Sequence, residues 1–80
     1  MRIDKFLKVT RILKRRTVAQ DACSGNKVSV NGRTVKPAYA VKIGDIVEIK
    51  FGTGFLKIKV LSLQEHVKKE DVETMYEVLN

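Results

Sequence analysis

Eighty residues, 44% of them hydrophobic and 31% charged, make one small domain with a modest core: too apolar for a disordered tail, too short to carry a catalytic domain beside a binding one. A single cysteine excludes an internal disulfide, no Cys/His cluster has zinc-ligand spacing, and no apolar run approaches the roughly 20 residues of a membrane span. The net charge of +7 points to a polyanionic partner, and residues 1–36 hold ten Lys/Arg against two acids while residues 37–80 hold six against seven.

The opening RIDKFLKV reads as a short helix in which Ile3, Phe6 and Leu7 share one side and Asp4 suits the positive N-terminal end. Arg2, Lys5, Lys8, Arg11 and Lys14 recur every third residue, which drifts by about 60° per step around an α-helix, so the five cannot share one stripe. A break between Thr10 and Arg16 resolves this, with a second helix beginning at Thr17. Thr17 and Gln20 have capping-box spacing, Gly25 provides a left-handed stop, and Val18, Ala19, Ala22 and Cys23 form an apolar side of small residues.

After Gly25 the period changes to two. Val28-Ser29-Val30 and Arg33-Thr34-Val35 flank Asn31-Gly32, a strong hairpin signal because both central turn residues need positive φ. A loop through Pro37 and Tyr39 and a turn at Gly44-Asp45 lead to the alternating strand IVEIKF (46–51). Gly52-Thr53-Gly54 then reverses the chain into FLKIKVLSL (55–63). Val72, Met75, Tyr76 and Leu79 have the spacing of an amphipathic terminal helix, with acids in its first turn. The predicted architecture is α+β: two short N-terminal helices on a small antiparallel β-sheet, plus a C-terminal helix.

RIDKFLKVTRILKRRTVAQD followed by KVSVNGRTVKPAYAVKIGDIVEI closely resembles the S-four RNA-binding domain, named after the fourth protein of the ribosomal small subunit. The most specific parts are the R-I-D-K-F-L opening, the second helix after Arg16, V-x-V-N-G and V-K-x-G-D. The resemblance covers residues 2–51, leaving 55–80 as a terminal strand and helix within a single domain 1–80. It implies the alpha-L RNA-binding motif. The K-R-R-T segment and the stand-alone form resemble bacterial ribosome quality-control factors, with a heat-shock protein that binds free large subunits as the related branch. Membership implies contacts with large-subunit rRNA and peptidyl-tRNA on the large ribosomal subunit. It also implies a partner tailing factor that recruits alanyl-tRNA, action as a monomer in the cytoplasm, and neither cofactor nor catalysis.

RNA recognition needs cations fixed on a scaffold, because folded RNA is met mainly through phosphates, 2′-hydroxyls and shape. The planar fork of Arg suits phosphate oxygens. Arg16 and Arg15 lead the candidates, since they precede a helix N-terminus that already favours an anion. Arg2, Lys5, Arg11, Lys8 and Lys14 follow, and Lys27, Asn31, Arg33 and Lys36 extend the surface from the hairpin. Arg2 has a competing role as a partner of Asp4, Asn31 is first a turn residue, Cys23 a small core residue, and Tyr39 a loop side chain closing the core. No Ser/His/Asp set, paired carboxylates, metal spacing or glycine loop points to an enzyme. A helix-turn-helix DNA binder is the contrasting reading, opposed by a second helix whose outward residues Gln20, Asp21 and Ser24 include no arginine to read guanine.

Overall fold

The computed structural model describes residues 1–80. Helix α1 spans Ile3–Val9 and buries Ile3, Phe6 and Leu7 completely, following their i, i+3, i+4 spacing. It ends where Thr10 folds its hydroxyl back onto the carbonyl of Phe6 (2.8 Å) and Arg11 turns into the left-handed region at φ 61°, its N–H bonded to the carbonyl of Lys8. The predicted break between the helices is therefore present, and it begins at an arginine held in a conformation that non-glycine residues adopt at a cost.

Helix α2 spans Arg16–Ser24, with Arg15 as an extended N-cap that makes no side-chain cap. The expected capping box at Thr17 and Gln20 does not form, because the helix begins one residue earlier and the Gln20 amide is drawn to a carboxylate on α1. The left-handed stop also moves by one: Gly25 has φ −86°, and Asn26 takes φ 60°. Asn26 and Lys27 then return their N–H groups to Cys23 and Ala22, a Schellman ending. Ala19 and Cys23 face the core with Ala22 at its margin, whereas Val18, about 100° round from Ala19, is exposed.

A five-stranded antiparallel sheet follows, built from β1 (Val28–Val30), β2 (Arg33–Thr34), β3 (Ile46–Phe51), β4 (Gly54–Val60) and β5 (Tyr76–Val78), in the order β2-β1-β3-β4-β5. Asn31 (φ 52°) and Gly32 (φ 86°) make the predicted two-residue turn, setting Val30 opposite Arg33. Val28 faces Ile49, Val30 faces Val47, and Val47 faces Ile58, so one face of the sheet is a continuous aliphatic surface. That surface, with Val60, Val41 and Met75, packs against Ile3, Phe6, Leu7, Ala19 and Cys23 to form the core.

The C-terminal helix appears as a 3-10 helix over Lys69–Met75, which buries Val72 and Met75. Tyr76–Val78, expected to continue it, forms β5 instead, with Tyr76 opposite Val60 and Val78 opposite Ile58. The i, i+3 spacing of Val72 and Met75 suits a three-residue turn. Beyond them, pairing with the open edge of β4 satisfies backbone groups that a further helical turn would have left unpaired along that strand. Asn80 closes this edge by bonding the N–H of Lys57 and the carbonyl of Phe55.

Candidate nucleic-acid interface

The organising group is a carboxylate. Asp4, in the first turn of α1, has a side chain with no solvent exposure, yet five donors converge on its two oxygens. Oδ1 accepts from Arg2 Nε (3.2 Å) and the backbone N–H of Lys5 (2.7 Å). Oδ2 accepts from Arg2 Nη2 (3.0 Å) and Gln20 Nε2 (3.1 Å), and Arg16 Nε lies at 3.4 Å. Burial pushes this carboxyl up, but the bonds from Gln20, Arg16, Arg2 and the Lys5 N–H together outweigh it and hold the group below its ordinary value of 3.8. Asp4 is therefore ionised at neutral pH and orients two guanidiniums, one from the start of each helix.

Neither arginine is consumed by this contact. Their side chains stay 48% and 43% exposed, so each presents part of its guanidinium to solvent while the rest is held. Arg15, beside Arg16, is exposed and has no ion-pair partner, and the first turn of α2 has no side-chain cap. Three arginines thus stand around a helix start whose N–H groups favour an anion. Thr17 makes no side-chain cap that would occupy one of these donors.

The remaining candidates fall into groups. Lys5 pairs with Glu65 at 3.2 Å, which ties the segment after β4 to α1. Lys8, Arg11 and Lys14 line a cleft of about 630 Å³ between the end of α1 and residues 65–68. Asn31, Arg33 and Lys36 border a separate groove at the β2 edge with Tyr39, which packs against the core as expected. Lys27 lies apart from all of these, beside Lys50 and Phe51 near the β3–β4 turn.

Asn31 has a structural assignment. Its Oδ1 accepts the N–H of Ile46 (3.0 Å) and its Nδ2 donates to Asp45 Oδ1 (3.1 Å), while Asp45 Oδ2 accepts the N–H of Lys42 (2.9 Å). The N-G turn and the K-x-G-D loop are thereby locked to each other. Cys23 is buried, and burial, with the nearby Asp4 charge, pushes its thiol up to about 11, so it is an inert core residue.

Asp4 as the hub of the arginines was not visible in the sequence, where it reads as a helix-start acid. The sequence offers only a weak signal for it: Asp4 is one of two acids in a strongly basic half and lies sixteen residues from Gln20. His66 and Lys68, which reach the cleft from the segment after β4, carry no local pattern at all.

Comparison with known proteins identifies the family. The S4 domain model matches residues 1–47. A Streptococcus pneumoniae protein named RQC P-site tRNA stabilizing factor is 46% identical over 80 residues, covering 100% of this chain and 91% of its own length. The Listeria innocua protein of the same name is 46% identical over 79 residues, covering 99% of this chain and 86% of that one. The structure of Vibrio cholerae heat shock protein 15, described as trimeric, superposes with a TM-score of 0.91 at 26% identity over 99% of this chain and 81% of that chain.

Proposed function

The chain belongs to the S4-domain family and, within it, to the RQC P-site tRNA stabilizing factors, and on that footing we propose that it is a non-catalytic RNA-binding adaptor of the large ribosomal subunit. In this reading it lies against large-subunit rRNA and the peptidyl-tRNA of a stalled complex. It holds that tRNA as a monomer while a partner tailing factor recruits alanyl-tRNA for alanine tailing of the nascent chain. No helix is long and apolar enough to cross a membrane.

One observation supports this reading above the others: the buried Asp4 aims Arg2 and Arg16 from two helix starts toward one place, with Arg15 unpaired beside them. Positioned guanidiniums of this kind grip phosphate oxygens with little ordering left to do on binding.

The test is binding to purified large subunits carrying peptidyl-tRNA. Neutralising about five phosphates predicts a slope of log affinity against log salt near −3.5 to −4.5. A double Arg15→Ala, Arg16→Ala variant should bind roughly 25- to 60-fold more weakly at 0.1 M salt, since each lost contact is worth about five- to eightfold relative to 1 M. Equal affinity of the double variant and wild type, or a flat salt response, overturns the reading.

A further inference from the structure

The cleft beside the end of α1 has a second wall that the arginine cluster does not use. Lys8, Arg11 and Lys14 stand on the helical side; His66 and Lys68 face them from the segment after β4, and Glu65 is the one acid among them. That acid is engaged elsewhere, since its carboxylate lies 3.2 Å from Lys5 Nζ. The four lysine and arginine side chains of the cleft have no ion-pair partner in the structure.

The cleft is preformed. Val9 and Val67 line it from opposite sides and both pack against the core, so the two walls are held by the same apolar contacts that hold the domain together. Its volume of about 630 Å³ exceeds what a lone inorganic anion fills and lies within the roughly 300–1,000 Å³ range of clefts that take organic ligands. Arg11 enters it from a left-handed backbone position, where asparagine or glycine would sit at lower cost. Like charges around a gap also repel one another, so the arrangement is unfavourable until a polyanion enters.

We propose that this cleft is a second RNA-backbone site, in which Lys68 and the imidazole N–H of His66 clasp a ribose-phosphate segment against Lys8, Arg11 and Lys14. The inference rests on the RNA-binding reading above and adds residues that the S4 match, which ends at residue 47, does not include. RNA is the occupant favoured by position. Helix α1 is seven residues, about 10 Å, long, with Arg2 before its start and the cleft residue Lys8 near its end, so the cleft lies within a few nucleotides' reach of a strand held at Arg2 and Arg16. A segment from the acidic, C-terminal half of the chain thereby supplies the far wall of a site whose near wall comes from the basic half.

The experiment measures affinity of the full chain for large subunits carrying peptidyl-tRNA between 0.1 and 1 M monovalent salt, for wild type, Lys68→Ala, Lys68→Arg, Lys69→Ala and Arg16→Ala. Lys68 and Lys69 are adjacent, exposed and equal in charge, but only Lys68 lines the cleft. Lys68→Ala should bind about five- to eightfold more weakly at 0.1 M, with a slope shallower by about 0.7–0.9 and curves that converge near 1 M, and Lys68→Arg should bind as wild type. Lys69→Ala should stay within twofold of wild type. Equal losses at Lys68 and Lys69 would reduce the effect to net charge and overturn the site. An unchanged Lys68→Ala with a weakened Arg16→Ala overturns it too, leaving the arginine reading intact. If Arg16→Ala and Lys68→Ala both bind as wild type, RNA binding by this face is itself refuted.

Discussion

Replacing Asp4 by Asn keeps shape and volume but removes the charge on which the two helices converge. Of the two oxygen positions, only one can remain an acceptor; the amide nitrogen then meets either the Arg2 Nε and Lys5 N–H donors or those of Arg2 Nη2, Gln20 and Arg16. The arginines are about half exposed and rehydrate, so their share is discounted to about 0–1 kcal/mol. One donor left facing another donor in the half-buried part of the site costs about 1–3 kcal/mol. A total of about 1–4 kcal/mol is a large part of the roughly 4–12 kcal/mol expected for 80 residues, and corresponds to a melting temperature lower by about 5–30 °C. The assay is urea and thermal unfolding followed by circular dichroism at pH 7 and again toward pH 3. Because the native carboxyl sits below the ordinary value of 3.8, its stabilisation is complete above that value and is lost as pH falls through the native one. The gap between wild type and Asp4→Asn should therefore be widest at neutral pH and close in acid. A difference under about 0.5 kcal/mol at pH 7, or parallel pH profiles, would refute the assignment of Asp4 as the hub.

Two further predictions concern stability and accessibility. Asn31→Ala should cost about 2–3 kcal/mol in urea unfolding, since it removes the hydrogen bonds to the Ile46 N–H and to Asp45 and places alanine at φ 52°; Asn31→Gly, relieved of the backbone strain, should lose less. Cys23 should resist maleimide labelling in the native protein at pH 8 and react only in denaturant. As its thiol is raised from 9.0 to about 11 by burial and the Asp4 charge, the native state holds the proton longer than the unfolded chain, so stability should fall as pH rises between those values.

In the proposed function, the phosphate contacts fall to side chains that are paired with a partner of their own chain and still reach solvent. This separates Arg2 and Arg16 from a merely solvated basic face. Cations on a solvated surface sample many rotamers and must be ordered on binding, at about 0.5–1.5 kcal/mol for each such side chain. The arginines around Asp4 have met much of that requirement during folding. The same logic explains a buried carboxylate in the basic half of the chain: besides tying the two helices together, it sets where the positive charge points.

Features encoded by neighbours in the chain were legible without coordinates. The Asn31-Gly32 turn, the alternating strand 46–51, the i, i+3, i+4 burial of Ile3, Phe6 and Leu7, and the break at Thr10 follow from local sterics and periodicity, which need no knowledge of distant residues. The concentration of cations in the first half was equally plain. Where two local solutions were nearly equal, tertiary contacts chose. Gln20 left its capping position for a carboxylate sixteen residues away, Asn26 displaced Gly25 as the left-handed residue, and the end of the terminal helix became β5 because β4 offered an unpaired edge. The cleft was beyond any local reading, since its walls lie more than fifty residues apart in sequence. Only the folded chain brings them together, through apolar contacts at Val9 and Val67 that carry no trace of the charges they position.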